Sequence, residues 1–212
     1  MHILRDACWR WVRDHPQIGS NAGISADHLT YDGVHPNGAA WDIMGPRWGN
    51  AVGYLRDPKN YADPRGGEIV KFYRSSGNLI VQVQLYAGTA LSLKNPAANI
   101  SGLTLSSDNF ATTIPISSAV LIDDTTFRIT PAAPLPASPL KLRYLYGKPG
   151  ISGTTLAQQG VDNLLYINAG PPNIVAVQPI WGTADNNWSL PEGTAPPPSS
   201  STPGTLSSGK GR

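Results

Sequence analysis

The sequence of 212 residues has few charged side chains, and their signs are balanced. Lys and Arg number 16, Asp and Glu number 14, and no basic block or basic-aromatic stripe occurs. A nucleic-acid partner is not expected, because such proteins concentrate positive charge on one face. Long apolar runs are also missing. No window of about 18 apolar residues exists, which excludes a membrane-spanning helix.

Cysteine and glutamate are nearly absent as well. The single thiol, Cys8, cannot form an internal disulfide, and we expect it to be buried as a small apolar side chain. Four histidines without close ligand partners do not favour a metal site, and no cofactor is expected. Arg5 and Asp6 interrupt the apolar stretch that a signal peptide needs, which favours a virion-associated or cytoplasmic location.

The first part of the chain has helical periodicity. Residues 3–13 show the i, i+3, i+4 spacing of an amphipathic helix, which the pair His15-Pro16 ends. A second apolar pattern follows Pro36 and predicts a buried stripe on a helix that kinks or breaks at Pro46. We expect the large side chains of both helices in the core: Trp9, Trp11, Trp41, Met44, Trp48, Val52 and Leu55.

From Gly67 onward the apolar period becomes two, which is typical of strands. Val70 and Phe72 alternate with Lys71 and Tyr73, and the run 79–85 repeats the pattern. Turn sequences at 75–78 and 123–125 predict two hairpins. About seven short strands predict an antiparallel, immunoglobulin-like β-sandwich. The other strand candidates are 103–105, 119–122, 126–129, 140–146 and 173–178.

These patterns predict an α+β chain with three parts. Residues 1–58 form a helical part, 59–180 the sandwich, and 181–212 a segment that begins with Trp and Gly and becomes rich in Pro and Ser. The last stretch has almost no apolar side chain to offset the entropy lost on ordering. We expect it to be disordered unless other protein chains hold it, with Trp181 and Trp188 as candidate contacts.

Asp32 and His35 are the candidate catalytic residues. A histidine can accept the proton of an attacking hydroxyl and later return it to the leaving group, because its pKa lies near neutrality. A carboxylate on the other ring nitrogen fixes the tautomer and stabilises the imidazolium. Three residues apart on a loop that contains Gly33, the two side chains could meet in this geometry. The alternative is that they only stabilise their own loop.

The segment Asp32-Gly33-Val34-His35-Pro36 resembles the last block of SGNH (GDSL-like) hydrolases, and the resemblance covers residues 1 to about 57. It implies that His35 is the general base and Asp32 its orienting carboxylate, at the end of an α/β hydrolase domain. The family's Gly-Asp-Ser nucleophile turn and Gly-x-Asn-Asp oxyanion segment have no counterpart. Gly19-Ser20-Asn21 is the nearest look-alike, but it lies too close to the Asp-His loop. The chain alone is therefore expected to be inactive.

A second resemblance lies in the strand-rich part. Arg143-Tyr144 and the run Asp162-Asn-Leu-Leu-Tyr-Ile-Asn-Ala-Gly-Pro-Pro are similar to the end of sialate O-acetylesterase-type proteins. An extra residue between Asn163 and Tyr166, and Pro171 in place of leucine, depart from that pattern. The resemblance implies an ancestor that removed acetyl groups from carbohydrate and carried an appended sandwich.

Three functions remain open at this point. The first is a structural or attachment module derived from an SGNH carbohydrate esterase, bound to other protein chains through 181–212 in an assembly such as a phage tail or virion. The second is the C-terminal portion of a carbohydrate O-acetylesterase whose serine comes from another chain or from upstream sequence. The third is a sugar-binding module that contacts carbohydrate through Trp181 or Trp188.

Overall fold

The computed structural model describes residues 2–15, 18, 38–144, 162–168 and 189–190. Within these ranges two helices precede a set of short strands, most of them paired antiparallel, which agrees with the predicted α+β class. The immunoglobulin-like connectivity stays a prediction. The elements are α1 (His2–Asp14), α2 (Gly38–Arg56), β1 (Gly67–Ser75), β2 (Asn78–Leu85), β3 (Leu91–Ser92), β4 (Leu103–Ser106), β5 (Ile116–Leu121), β6 (Thr126–Pro131), β7 (Lys141–Tyr144), β8 (Tyr166–Ile167) and β9 (Ser189–Leu190).

Helix α1 covers the predicted segment, but those of its apolar side chains whose burial the structure describes lie outside the core, and Trp9 is not among the side chains described. It ends at Asp14, before the pair His15-Pro16 that leaves the helical region. Cys8 is exposed and Trp11 is about half exposed, so the expected burial of both is wrong. Trp11 instead stacks on His15, with the ring centroids 5.0 Å apart. Helical spacing identifies the apolar face, but it does not supply an element that covers it.

Helix α2 is continuous through Pro46, so a break into two helices is excluded and the other expected outcome, a kink, stays a prediction. Proline removes one hydrogen bond, to the carbonyl of Asp42. Both residues lie on exposed positions, where water can replace the missing donor. Of the helices in the described part of the chain, none has the length and apolarity to cross a membrane.

The buried face of α2 is not the predicted one. Met44 is buried, but Trp41 and Trp48 are 48% and 42% exposed, and the rest of the predicted stripe is exposed too. Small and polar side chains pack inward in its place: Ala40, Arg47, Asn50 and Ala51. The Asn50 amide exchanges two hydrogen bonds with the backbone of Ala62, at 2.8 and 3.0 Å, which fixes this face against the loop after the helix.

The largest sheet has five strands in the order β5-β6-β2-β1-β9. Strands β1 and β2 form the predicted hairpin, in which Ser76 and Gly77 both have positive φ, as a type I′ turn requires. The second predicted hairpin joins β5 and β6 through 122–125. Along β2, Leu79, Val81 and Val83 are buried, which confirms the alternation predicted for that strand.

Strand β1 departs from simple alternation. Ile69 pairs with Val83 and Lys71 pairs with Gln82, so Val70 is an extra residue in a β-bulge. The bulge shifts the alternation by one position. Val70 is therefore 39% exposed, while Phe72 is fully buried, and the expectation that both face one side is wrong.

Two small sheets, β3-β8 and β4-β7, complete the strand-rich part. Strands β3, β8 and β9 are too short for their pairing to be read from sequence. Buried side chains from the two small sheets and the large sheet belong to a single hydrophobic cluster. Its largest fully buried members are Ile69, Phe72, Leu79, Leu105, Phe127, Ile129, Leu140, Leu142, Tyr144, Leu164 and Leu165.

Within the predicted tail, Ser189 and Leu190 pair with the chain itself. They form β9, which lies parallel to β1 opposite Phe72 and Tyr73. These two residues are therefore an exception to the expected disorder of the segment. The remainder of 181–212, including Trp181 and Trp188, and the strand candidate 173–178 lie outside the described residues.

Candidate functional site

The predicted catalytic residues, Asp32 and His35, lie outside the described residues, as does the serine look-alike Gly19-Ser20-Asn21. Their roles stay a prediction. The structure does describe the two elements that flank this segment, because α1 ends at Asp14 and α2 begins at Gly38. The contacts of these two helices show how each of them is attached to the strand-rich part.

The end of α1 is attached to the large sheet by an ion pair. Arg13 Nη1 donates to Glu68 Oε1 at 3.2 Å, and Arg13 Nε donates to Asp14 Oδ1 at 2.9 Å. The bond to Asp14 and the charge of Glu68 both raise the pKa of the guanidinium, and Arg13 in turn lowers the pKa of Asp14. Glu68 is buried, and an unpaired carboxylate at such a position would be costly. The ion pair with Arg13 offsets that cost.

Glu68 is also bound from the sheet side. The hydroxyl of Tyr86 donates to Glu68 Oε2 at 3.1 Å, so each carboxylate oxygen has a donor. Burial, followed by the negative charge of Glu68, raises the pKa of Tyr86 to about 12. The guanidinium of Arg65 lies over the Tyr86 ring at 4.3 Å and adds a cation–π contact.

A second acidic residue ties α2 into the same cluster. Arg65 binds both carboxylate oxygens of Asp63, at distances from 2.5 to 3.0 Å, and the hydroxyl of Tyr54 donates to Asp63 at 3.2 Å. Burial, with Asp63 nearby, raises the pKa of Tyr54. Arg65 also donates to the backbone carbonyl of Arg13 at 3.4 Å. We call these six residues the junction cluster: Arg13, Tyr54, Asp63, Arg65, Glu68 and Tyr86.

The junction cluster is a structural site rather than a catalytic one. Its carboxylates are bound by guanidinium and phenol groups, which leaves neither of them placed as a general base. Across the described ranges, no group of three or more His, Cys, Asp or Glu side chains could hold a metal ion. Sequence reasoning missed the cluster, although the rarity of glutamate, present only at 68 and 192, singles out Glu68.

Several described residues behind the second resemblance are structural in this fold, and residues 169–172 of the run lie outside the described ranges. Asn163 is buried, and its Nδ2 donates to the backbone carbonyls of Asn95, Ala98 and Asn99 at 3.0 to 3.2 Å. Its Oδ1 accepts from the backbone N–H of Asn95 at 3.0 Å. One side-chain amide thus forms hydrogen bonds with four backbone groups of the 95–99 loop. This accounts for an asparagine at position 163 without any catalytic role.

Tyr144 and Asn168 act in the same way. The Tyr144 hydroxyl accepts the backbone N–H of Leu165 at 2.8 Å. Asn168 Oδ1 accepts from the N–H groups of Thr89 and Ala90 at 2.9 and 2.7 Å. These bonds join β7 and the 162–168 segment to distant parts of the chain, so they contribute to the fold.

A further residue of that resemblance, Arg143, lies over the ring of Phe110 at 3.5 Å. Phe110 belongs to a tight turn in which Asp108 accepts bonds from the hydroxyl and the N–H of Thr112 and from the hydroxyl of Ser106. These bonds, Thr112 first, lower the pKa of Asp108 to about 2. The turn is therefore held by a carboxylate that stays ionised, and it offers no free acid or base.

An open pocket of about 280 Å³ lies beside β4 and is lined by residues 99–103, Ile116 and Ala119. The polar side chains of its lining are bonded within the protein. Asn99 Oδ1 accepts from the N–H of Ala119 at 3.1 Å, and Ser101 Oγ accepts from that of Asn163 at 2.9 Å. The pocket thus presents few polar groups that could orient a ligand.

No family model matches the sequence, and none of the curated proteins matches it either. Among solved structures, the fold is similar to that of a carbohydrate acetylesterase from Xanthomonas citri, with a TM-score of 0.50 and 14% identity. The likeness covers 76% of this chain but only 31% of the acetylesterase, so the chain spans about a third of that protein's length. At this identity the likeness concerns the fold alone.

A further solved structure is the N-terminal part of the bacterial S-layer protein SbsC. It has a TM-score of 0.30 and 10% identity, and the match covers 53% of this chain and 25% of that chain. A TM-score this low does not indicate a common fold.

Proposed function

We propose that this chain is the C-terminal part of a carbohydrate O-acetylesterase of the SGNH type, completed by a serine from upstream sequence or from another chain. The observation that supports it is the fold likeness to a carbohydrate acetylesterase, which covers most of this chain and less than a third of that protein. The Asp-x-x-His-Pro segment at Asp32 and the asparagine-rich run near Asn163 point to the same class of enzyme.

In this proposal His35 accepts the proton of the serine hydroxyl as that oxygen attacks the acetyl carbonyl. The C–O bond to the sugar then breaks, and the proton passes from His35 to the sugar oxygen. Water attacks the acetyl-enzyme by the same route, with His35 again as the base, and releases acetate. Asp32 holds the imidazole in the required tautomer and stabilises its charged form.

The junction cluster supports this arrangement mechanically. Arg13, at the last turn of α1, is tied to β1, and Tyr54, near the end of α2, is tied to the loop before β1. Both helices next to the Asp-His segment are therefore anchored to the strand-rich part. A catalytic site tolerates only displacements well below 1 Å between its reacting groups. Anchoring of the two flanking helices therefore favours activity.

The test is an aryl acetate assay on the chain together with the polypeptide encoded directly upstream, either fused or co-expressed. We expect esterase activity that His35→Ala lowers by about 10³-fold or more in kcat. His15→Ala is the matched control. Within the described residues the His15 side chain hydrogen-bonds its own helix, through Nδ1 to the Trp11 carbonyl at 2.9 Å, and its loss should leave activity unchanged.

Activity that survives His35→Ala would remove His35 from the mechanism. An inactive but stable assembly would favour the second candidate, an attachment module derived from an SGNH carbohydrate esterase within a virion or similar assembly. The observation on its side comes from the described residues. Their polar clusters are bonded for structure.

A further inference from the structure

Helix α2 presents apolar side chains on two adjacent faces, one buried and one exposed. One face packs on the chain itself through Met44, Ala51 and their neighbours. The other face is exposed and consists of Trp41, Trp48, Val52 and Leu55, which we call the α2 apolar face. A contiguous apolar face on a helix is typical of a surface that packs against another element. The exposed face therefore indicates a contact that the described residues do not complete.

The size of the α2 apolar face fits the centre of a protein interface. It runs about 21 Å along the helix, and the two half-exposed indoles alone leave about 200 Å² of apolar surface. Contiguous exposed patches of a few hundred Å² mark interaction sites. A stable interface buries about 800 Å² per partner, so neighbouring surface must join in.

We propose that the α2 apolar face is the docking surface for the polypeptide that carries the catalytic serine. This rests on the proposed function. The acetylesterase of similar fold has most of its length outside the match, so a body of polypeptide with no counterpart in this chain exists in that protein. An extended chain covers at most about 3.6 Å per residue. Because His35 precedes the start of α2 by three residues, a serine that reaches it must approach this helix.

The shape of the face argues for protein rather than sugar. The rings of Trp41 and Trp48 meet edge to face, with centroids 5.8 Å apart and an angle of 86°, so they do not form a flat platform for stacking. Val52 and Leu55 continue the surface with aliphatic groups, which are common in packed protein cores.

The experiment measures the reactivity of a thiol at Val52, which is 54% exposed. Val52→Cys is made in a Cys8→Ser chain, and alkylation is followed by mass spectrometry with and without the polypeptide encoded directly upstream. Ile122→Cys, in the strand-rich part and 47% exposed in the native residue, is the matched control. We expect the upstream polypeptide to slow alkylation at position 52 by about tenfold or more and to leave position 122 unchanged, because a shielded thiol reacts only when the contact opens.

Each other outcome overturns the docking proposal. It fails if the upstream polypeptide does not bind, or if it binds while the thiol at position 52 stays fully reactive. Shielding that grows with the concentration of this chain alone assigns the face to a second copy. Shielding by an acetylated xylo-oligosaccharide assigns it to sugar. Leu55→Cys repeats the measurement on the same face if Val52→Cys does not fold.

This readout is independent of the esterase assay. Shielding in an inactive complex would retain the docking surface and reject the proposed function. An active complex with an unshielded thiol would reject the docking surface and retain the function.

Discussion

The strand-rich part and the helical part of this molecule bury their large side chains differently. In the sheets, Phe72, Phe127 and Leu105 are completely inaccessible to solvent. In the helices, Trp11, Trp41 and Trp48 are about half exposed, and small or polar side chains occupy the inward face. The strand-rich part thus has its own hydrophobic core. The described large side chains of the helices have no such core, so we expect the helices to need contacts with other surfaces for their stability. The difference shows which part we expect to fold alone.

The largest effect should come from the sheet core. Phe127→Ala should lower the free energy of unfolding by about 3–5 kcal/mol, because it removes a buried ring and leaves a cavity. Trp48→Ala, a change of comparable size on α2, should cost less than about 1 kcal/mol. Urea denaturation of the two variants measures both values. Equal losses would show that the helical part has a core of its own and would break the comparison.

A smaller effect is expected at Asn163. Asn163→Ala removes a buried amide that donates to three part-buried carbonyls of the 95–99 loop, and it should cost about 2–3 kcal/mol. Asn163→Asp keeps the acceptor and removes the donors, so it should be nearly as destabilising. Asn168→Ala is the control, because its bonds are exposed and should contribute about 1 kcal/mol. If urea midpoints are equal for the changes at 163 and 168, burial of the amide is not what matters.

The smallest effect concerns the junction between the two parts. In the folded protein the pKa of Tyr86 is about 12, above its ordinary value of 10.0. The protonated phenol therefore contributes fully to the free energy of unfolding below pH 10, and this contribution is lost as pH rises toward 12. Stability should therefore fall over this range, and Tyr86→Phe should reduce the fall. An ultraviolet absorbance titration of the phenol should show Glu68→Gln shifting the midpoint downward, because it removes a nearby negative charge. A midpoint near 10 in the native chain would contradict this.

Much of the strand-rich fold was predictable, because alternation and turn chemistry are local. The β2 alternation and both hairpins follow from residues close in sequence. The phase of β1 could not be predicted, since an extra residue at Val70 has no signature in composition. The prediction of a buried stripe on α2 was wrong for another reason. Its period indicated one apolar face of α2, but the face that packs on this chain is lined by Ala40, Ala51 and an amide.

The candidate site divides in the same way. Asp32 and His35 are recognisable because their spacing is short, and their geometry lies outside the described residues. The junction cluster joins residues far apart, such as Arg13 and Glu68, which are separated by 55 positions. Such pairings depend on the completed topology, so no local pattern reveals them. The resemblance near Asn163 to sialate O-acetylesterase-type proteins stays a prediction, and the structure gives Asn163 a role in holding a loop.

The short strand β9 has a consequence for how the chain tolerates truncation. Ser189 and Leu190 lie along β1, which would otherwise be an edge of the five-stranded sheet at Phe72 and Tyr73. Open edges recruit strands from other molecules. A version shortened before residue 189 would therefore gain a route to aggregation, even though only two residues of pairing are removed.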